Sequence, residues 1–380
     1  MNTKKETTEK TKHEKRKAAV ITCFESNEER VALVLEALKN KGYEAMGISS
    51  DFSHIRKAKR TEKMELFTFL KTRPYKKNLS MGRLLSHKCF ARDVFKYLDE
   101  IDPELIWVCV PANSLITEAE KYKDRHPNVK VILDEIDMWP ESLPVGSLKK
   151  MFPFELWRKI RSDSIDCADA LVTECDYYKE ILCNEYKGKI TTIHWARDNN
   201  VEEYSLNLPE KKLSLAYIGS INNIIHIEEM GRLIETSDLP VELHVIGDGE
   251  NKDKLLDLLG RKCELIDHGV VYDPEEKQKI FAKCHAGLNI YKEGLYIGLT
   301  VKSIDYFNYG LPIINSIKGD TFSLIEKYGV GINVDKTSKL DSKQIIEMRM
   351  NYKKIINVYK QNFTKEVFAE KMNQVIDSIL

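Results

Sequence analysis

Apolar runs of five to nine residues alternate with amphipathic stretches along almost the whole chain. Most consecutive positions within each run are apolar, which is typical of parallel strands that helices cover on both faces. Strands and helices alternating at this spacing predict an α/β protein with a Rossmann-type doubly wound sheet in each half. The predicted strands occupy residues 18–24, 43–49, 105–110, 129–134, 169–173, 189–195, 213–219, 241–247, 263–271, 286–291, 311–315 and 330–334.

Two domains are expected, because 380 residues are more than one hydrophobic core usually holds. Residues 198–212 are polar and lack a strand pattern, so they predict a linker. The N-terminal domain is then predicted at residues 18–200 and the C-terminal domain at residues 211–362, after a flexible charged tail at residues 1–17. Doubly wound sheets bind ligands beyond the carboxyl ends of their strands, so we expect the substrate cleft between the two domains.

Composition argues against several functional classes. Lys and Arg together number 59, as do Asp and Glu, and this balance argues against a general affinity for nucleic acid. The eight cysteines form no CxxC pair, which favours reduced, buried thiols over a zinc site. No apolar run has the length of a membrane-spanning helix, and no signal-peptide pattern follows the charged N-terminus. We therefore expect a cytoplasmic protein.

Residues 293–316, EGLYIGLTVKSIDYFNYGLPIINS, carry the strongest candidate chemistry. We predict a helix over residues 299–309, with Lys302, Asp305 and Tyr309 on its outer face. The start of a helix suits phosphate, because its first N–H groups are unpaired and its dipole is positive there. The face toward the sheet is predicted to hold Val301, Ile304, Phe307 and Asn308.

Each polar position near this helix start has a candidate role. Gly298 permits a ligand to approach the backbone, Thr300 caps the helix or donates its hydroxyl, and Lys302 adds a full positive charge. Asp305 can accept a hydrogen bond from a sugar or ribose hydroxyl. The alternative is an ordinary amphipathic helix, ended by Gly310, in which Lys302 and Asp305 form a surface pair.

Lys302, Asp305, Gly310 and Pro312 together match a known signature. The stretch resembles the donor site of GT-B nucleotide-sugar glycosyltransferases, particularly family 4 and its capsule and surface-polysaccharide relatives. In those enzymes a Lys or Pro precedes an acidic residue and an apolar run that ends in Gly-x-Pro. The resemblance implies that Lys302 contacts the donor diphosphate and that Asp305 contacts the nucleotide ribose.

The loop before this helix belongs to the same resemblance, which implies that Gly298, Leu299 and Thr300 border the donor diphosphate. The sequence departs from the family pattern at two positions. Asp305 stands where a glutamate is usual, and Ile297 stands where many members have a first glutamate. The paired-glutamate motif is therefore incomplete.

Two further loops are similar to donor-binding loops of the family. Gly219 and Ser220 follow the first strand of the second half, where the family has a glycine turn near the phosphates. A basic residue often follows that turn in the family, but this chain continues with INNIIH. His268 and Val270 lie in the loop that resembles the base-binding loop, although a lone histidine is more often incidental than specific.

The end of the strand at 129–134 and the turn after it carry three candidates for the acceptor side. Asp134, Asp137 and Trp139 fall within VILDEIDMWPES, which is similar to an Asp-x-Trp-Pro-Glu stretch of some family members. Asp137 can orient or deprotonate an acceptor hydroxyl, which requires a carboxylate within reach of that proton. The alternative is a capping cluster, in which these acids accept hydrogen bonds from helix N–H groups.

Two segments mix basic and apolar residues. Residues 56–88 hold 11 Lys and Arg against two acidic residues, and residues 147–161 repeat the mixture. Such surfaces dock on anionic lipid, which would suit an enzyme with a polyprenyl-linked acceptor at the inner leaflet of a membrane. The alternative is a solvated basic surface.

The resemblance predicts a retaining glycosyltransferase that needs neither a metal nor another cofactor and uses a nucleotide-sugar donor and a saccharide or polyprenyl-linked acceptor. It also implies that a C-terminal helix at residues 363–380 packs back on the N-terminal domain. One alternative is a GT-B-like sugar-nucleotide epimerase. Another is a non-catalytic binding protein of this fold, which the incomplete glutamate motif and the missing basic residue after Gly219 keep open.

Overall fold

The computed structural model describes residues 16–61, 64–143, 152–198 and 204–380. Most of the predicted tail, residues 199–203 near the beginning of the predicted linker, and the start of the second basic segment therefore lie outside the described residues. Among the described residues, all twelve strands predicted from the apolar runs are present, and most differ from the predicted bounds only at their ends.

The chain divides into two compact units, residues 1–132 and residues 133–380. The first unit alternates strands and helices as the apolar pattern predicts. The boundary between the units lies within β7. The first unit contains β1 (Lys17–Ile21), α1 (Glu28–Asn40), β2 (Glu44–Ser50), β3 (Phe52–Ser53), β4 (Ala58–Lys59), β5 (Phe67–Leu70), α2 (Met81–Ile101), β6 (Leu105–Val110), α3 (Ser114–Arg125) and the start of β7 (Lys130–Glu135).

The second unit continues the alternation and ends in three consecutive helices. Its elements are α4 (Phe152–Ser162), β8 (Ala170–Thr173), α5 (Asp176–Leu182), β9 (Ile190–Thr192), β10 (Leu213–Ile218), α6 (Ile227–Glu235), β11 (Val241–Ile246), α7 (Lys252–Gly260), β12 (Glu264–Asp267), α8 (Pro274–Phe281), β13 (Ala286–Asn289), α9 (Val301–Asn308), β14 (Ile313–Asn315), α10 (Asp320–Tyr328), β15 (Gly331–Asn333), α11 (Ser342–Met350), α12 (Tyr352–Asn362) and α13 (Lys365–Asp377).

Both large sheets have the doubly wound strand order that the apolar runs predict. One sheet has the order β5-β2-β1-β6-β7-β8-β9 and the other the order β12-β11-β10-β13-β14-β15. The second sheet is parallel throughout, since each pair of neighbouring strands from β12 to β15 is parallel. All six residues of β10 are buried, as expected of a central strand covered by helices on both faces.

The second sheet reverses its winding between β10 and β13. From β10 the chain moves outward to β11 and β12, and then returns to place β13 on the other side of β10. Such a switch point opens a crevice at the carboxyl ends of the two central strands, because the following helices leave toward opposite faces. The apolar core below it includes Leu215, Tyr217, Leu243, Val245 and Leu288, all 0% exposed.

Candidate functional site

The crevice at the switch point of the second sheet is lined by closely packed loop backbones. Gly219 follows β10 directly and has a φ of +119°, a conformation that favours glycine. Its N–H donates to the Ile246 carbonyl at 2.9 Å, and the Gly247 N–H donates to the Gly269 carbonyl at 2.7 Å. The loops after β10, β11 and β12 are therefore joined to one another beside the crevice.

Helix α9 begins beside the same crevice and has the predicted cap. The Thr300 side chain accepts a hydrogen bond from the Ser303 N–H at 3.2 Å, and Gly310 follows the helix with a φ of +63°. These two residues start and end the helix as the sequence predicts. The observed helix, Val301–Asn308, is shorter than the predicted 299–309 because Thr300 is its cap and not its second residue.

Lys302 projects from the first turn of α9 into the crevice. Its Nζ atom lies 4.0 Å from the ring centroid of Tyr217, on β10, and 4.9 Å from that of Tyr291, just after β13. A Cβ atom at Gly219 would lie 3.5 Å from Lys302 Cε. The ammonium group is therefore held at the junction of the two central strands, against the glycine turn.

The Lys302 ammonium group is buried without an anion. The residue is 8% exposed, and its Nζ atom has no hydrogen-bond partner among the described residues. Burial lowers the pKa of Lys302 from its ordinary value to about 7, because the charged form loses its hydration. The two aromatic rings compensate for only part of this loss, so a bound anion would be strongly favoured beside this group.

This burial corrects the predicted orientation of α9. Lys302 and Tyr309, predicted on an outer face, are 8% and 4% exposed, whereas Val301, predicted to face the sheet, is 41% exposed. The prediction fails because Lys302 packs against the rings of Tyr217 and Tyr291 at the ends of the central strands, while α12 covers another side of α9. The alternative of a Lys302–Asp305 surface pair is wrong for the same reason.

A chain of buried side-chain hydrogen bonds holds the start of α9. The Thr300 hydroxyl donates to Asn289 Oδ1 at 3.0 Å, Asn289 donates to Asn315 Oδ1 at 2.8 Å, and Asn315 donates to Asn333 Oδ1 at 2.8 Å. The three asparagines are register neighbours at the ends of β13, β14 and β15. The Thr300 hydroxyl oxygen therefore accepts in the helix cap, and its proton is donated to the asparagine ladder that these three residues form.

Gly298 and Leu299 precede this cap in a tightly packed loop. A Cβ atom at Gly298 would lie 2.5 Å from Cys175 Sγ and 2.9 Å from Tyr177 Cβ, so residues at the start of α5 occupy the space beside this glycine. Leu299 is 8% exposed. The tight approach at Gly298 is thus made by the protein itself, and it positions the loop that leads to Lys302.

Asp305 lies one turn after Lys302 in different surroundings. It is half-buried, and its charge acts on Tyr309 and on Tyr359 of α12. Burial, and after it the nearby Asp305 carboxylate, raises the pKa of Tyr309. The structure therefore directs Lys302 toward β10 and Asp305 toward the side of α9 that α12 covers.

The remaining predicted donor residues lie on the loops that border the crevice. Ser220 is exposed, and its carbonyl accepts from the Tyr217 hydroxyl at 2.7 Å. His268 is half-buried with its Nε2 atom 2.9 Å from Nδ1 of His244, and the two rings stack at 5.2 Å. Val270 is 50% exposed. Val270 therefore offers an exposed apolar side chain, while His268 is engaged with a neighbouring histidine.

The predicted acceptor-side residues come together after β7. Asp134 is fully buried, Asp137 is half-buried, and the Trp139 indole N–H donates to Asp137 Oδ2 at 2.6 Å. Trp139 also packs edge-on against Trp157 of α4, with ring centroids 5.9 Å apart. The structure thus brings Asp137 and Trp139 into contact and places Asp134 away from solvent.

Comparison with known proteins gives the fold. No family profile and no curated protein matches the sequence. Sucrose-phosphate synthase from Thermosynechococcus elongatus aligns with a TM-score of 0.70 at 14% identity, over 96% of this chain and 99% of that chain. The lipopolysaccharide outer core galactosyltransferase WaaB aligns with a TM-score of 0.66 at 15% identity, over 96% and 100%. The fold is GT-B. At such identities this likeness carries the fold alone.

Within this GT-B fold, sequence reasoning missed the two tyrosines around Lys302. Tyr217 is 0% exposed and lies within β10, and Tyr291 is the second residue after β13. Both have the pattern of ordinary core residues in a strand. Only the pairing of β10 with β13 reveals that their rings flank a lysine.

A buried ionic cluster beside Asp137 was also not evident from the sequence. Arg161 of α4 is 0% exposed and forms ion pairs with Glu141 at 2.8 Å and Glu185 at 3.2 Å. Glu135, at the end of β7, is 3.9 Å from Arg161, and its carboxyl group has no hydrogen-bond partner among the described residues. Burial raises the pKa of Glu135 to about 8, so this carboxyl group is largely protonated at neutral pH.

Asp176, His194 and Asp320 place potential metal-ligand atoms within 4.8 Å of one another. Both oxygens of Asp320 already accept backbone hydrogen bonds, from the Asp176 N–H at 2.7 Å and the Tyr177 N–H at 3.0 Å. The His194 Nε2 atom lies 3.0 Å from Asp320 Oδ2. This arrangement caps α5 and joins it to α10, and the carboxylate has a structural role.

A large open cavity lies on the other side of Tyr291. Its volume is about 790 Å³, and its lining includes Tyr291, Lys292, Asn315, Lys318 and Phe322. Tyr291 therefore borders both this cavity and the Lys302 ammonium group. Asn315, the central member of the asparagine ladder, also reaches its wall.

The predicted basic segments present apolar side chains at the surface. On α4, Phe152, Leu156 and Ile160 are 78%, 52% and 37% exposed at a spacing of four residues. On the first segment, Leu79 and Met81 are 55% and 78% exposed. No helix within the described parts of the chain combines the length and apolar character needed to cross a membrane.

Proposed function

We propose that this protein is a glycosyltransferase that moves a sugar from a nucleotide-sugar donor to a saccharide or lipid-linked saccharide acceptor. The observation that carries the proposal is the buried Lys302 ammonium group, which has no anionic partner among the described residues and lies against Gly219 at the switch point. A ligand diphosphate is the anion that doubly wound sheets most commonly hold at such a crevice. The structures of Anabaena HepE, similar in fold with a TM-score of 0.65 at 10% identity, contain UDP.

In the proposed reaction the bond between the sugar anomeric carbon and the donor phosphate oxygen breaks. The acceptor hydroxyl oxygen forms the new glycosidic bond, and its proton passes to Asp137 or to the departing phosphate. Negative charge grows on the diphosphate as it leaves, and Lys302 would stabilise it most strongly at that moment. Lys302 and Asp137 are thus the proposed catalytic residues.

The remaining donor contacts are assigned from the loops that border the crevice, except that of Asp305, which rests on the family resemblance alone. Gly219 and Ser220 would border the diphosphate, Asp305 would accept from the ribose, and the loop with His268 and Val270 would meet the base. The family 4 resemblance supports retention of anomeric configuration, independence of metal ions and a role in surface polysaccharide synthesis. Asp134 and Trp139 would support the acceptor side.

A thermal-shift panel of UDP-, GDP-, dTDP- and ADP-sugars tests the proposal. The matching donor at about 100 times its Kd should stabilise the folded protein by about 2.7 kcal/mol. Lys302→Met, which removes the charge and keeps the chain length, should abolish most of this shift. The control variant Lys279→Met alters an exposed lysine on α8 and should retain it. An equal shift in both variants, or no shift with any nucleotide sugar, would overturn the proposal.

A sugar-nucleotide epimerase is the second candidate. A protein named as a putative UDP-N-acetylglucosamine 2-epimerase, from Listeria monocytogenes, aligns with a TM-score of 0.54 at 12% identity. Incubation with the stabilising donor and no acceptor separates the two functions. An epimeric nucleotide sugar in the product mixture, identified by NMR, would favour the epimerase. Transfer to an added acceptor with release of nucleoside diphosphate would favour the glycosyltransferase.

A further inference from the structure

Helix α2 of the first unit presents a mixed apolar and basic face to solvent. Met81 and Leu85 are 78% and 41% exposed, and Lys88, Arg92 and Lys96 are exposed further along the helix. These five residues are spaced by three or four positions, so they lie along one side of the helix. We call them the α2 face.

The loop before α2, residues 71–79, extends this surface. Leu79 is 55% exposed beside Met81, and four exposed cations precede it. Arg92 pairs with Asp93, the single acidic residue between positions 71 and 96. The same 26 positions hold eight basic residues, which are Lys71, Arg73, Lys76, Lys77, Arg83, Lys88, Arg92 and Lys96.

Hydrogen bonds fix this loop to the helix. The Ser80 side chain caps α2 by accepting from the Arg83 N–H at 3.2 Å, and Arg83 Nη1 donates to the Asn78 carbonyl at 3.0 Å. The Ser86 hydroxyl donates to the Arg73 carbonyl at 2.5 Å. The loop and the α2 face therefore form one preformed surface, which needs little ordering when it binds a partner.

We propose that the α2 face and the 71–79 loop dock this protein on an anionic lipid surface. The cations would meet lipid phosphates, and Leu79, Met81 and Leu85 would enter the boundary between head groups and acyl chains. Residues 71–96 carry an excess of seven positive charges, whereas the whole chain has a net charge of zero. The positive charge is therefore concentrated on this surface. This inference does not rest on the proposed glycosyl transfer.

The exposed apolar residues favour lipid over single-stranded nucleic acid. Nucleic-acid surfaces interleave cations with exposed aromatic rings on which bases stack. Here the exposed apolar residues are aliphatic or Met, and the nearby aromatic residues Tyr75, Phe90 and Phe95 are 7%, 0% and 2% exposed. Aliphatic side chains cannot stack on bases, but they bury readily in an acyl boundary.

Co-sedimentation of the full chain with vesicles tests this proposal. We expect the affinity for vesicles with 30% phosphatidylglycerol to be about a hundredfold higher than the affinity for pure phosphatidylcholine vesicles. Reversing Lys88, Arg92 and Lys96 to Glu should weaken binding to anionic vesicles by about a hundredfold. Replacing Met81 and Leu85 by Ser should weaken it by about tenfold while leaving the charge unchanged.

The matched control reverses three exposed lysines of the second unit, Lys343, Lys354 and Lys360, to Glu. This variant has the same net charge as the α2 triple variant and should bind anionic vesicles as the wild type does. Equal loss in both triple variants would show a net-charge effect and overturn the proposal. So would binding to oligo(U) RNA without binding to vesicles. Circular dichroism and thermal unfolding verify that each variant is folded.

Discussion

At the residue scale, Lys302 links the fold to the proposed chemistry. A lysine that is 8% exposed and has its pKa lowered to about 7 costs the folded protein free energy whenever it is charged. Anion binding removes this cost, because the pair of charges is more stable than the buried cation alone. The same residue therefore destabilises the ligand-free protein and favours donor binding.

Donor binding should consequently take up a proton. At pH 8 the Lys302 amine is mostly neutral in the free protein, and a bound diphosphate would raise its pKa and protonate it. Calorimetry at pH 8 in buffers of different ionisation enthalpy should show an uptake approaching one proton for a nucleotide sugar, whose phosphates do not titrate nearby. Lys302→Met should lose this uptake. Equal uptake in wild type and variant would contradict the assignment.

Lys302 should also make the ligand-free protein more stable at high pH. Its folded pKa of about 7 is below its unfolded value of about 10.4, so the unfolded state binds the extra proton between these values. Stability therefore rises with pH across this window. Lys302→Met should melt a few degrees higher than wild type at pH 7, and its advantage should shrink toward pH 10. Lys279→Met provides the comparison, and a lower melting temperature for Lys302→Met would refute the argument.

At the element scale, loops around the crevice are held by side chains from neighbouring elements. The asparagine ladder fixes the start of α9, and Asp320 fixes the start of α5. Burial by itself would raise the pKa of Asp320, but hydrogen bonds from His194 and two backbone N–H groups together lower it. The charged form is therefore the one that these partners stabilise.

Asp320→Asn should be strongly destabilising. An amide offers one oxygen to two backbone donors and turns its own N–H groups toward them, which should cost about 2–4 kcal/mol. The exposed Asp253, in the first turn of α7, provides a control, because Asn there should cost only a few tenths of a kcal/mol. Chemical denaturation at pH 7 measures both. The difference in unfolding free energy between wild type and Asp320→Asn should narrow as the pH falls below about 4, because the unfolded chain then binds a proton at Asp320 more readily than the folded protein, in which its pKa is lowered.

At the scale of the whole molecule, the end of the chain completes the second unit. Lys365 of α13 pairs with Asp198 at 2.6 Å, and the Tyr359 hydroxyl of α12 donates to the Arg197 carbonyl at 2.6 Å. Phe363, between the two helices, packs against His194 with ring centroids 5.3 Å apart. The terminal helices therefore lie against the segment that follows β9, distant in sequence.

The sequence alone determined the alternation of elements and most element bounds. Local patterns carry this information: apolar runs predicted β10 and β13, and Thr300 and Gly310 marked the ends of α9, because caps and strand burial depend on residues nearby in the chain. The sequence also placed Lys302 in the first turn of a helix that follows a strand.

The tertiary structure decided what surrounds these residues. The prediction of an exposed Lys302 was wrong because the first turn of α9 packs its lysine against β10, more than eighty residues earlier in the chain. The two tyrosines around the ammonium group, the asparagine ladder and the Arg161 cluster likewise join residues from separate strands and helices. A local pattern cannot report such contacts, since burial and pKa depend on the groups that packing brings together from distant parts of the chain.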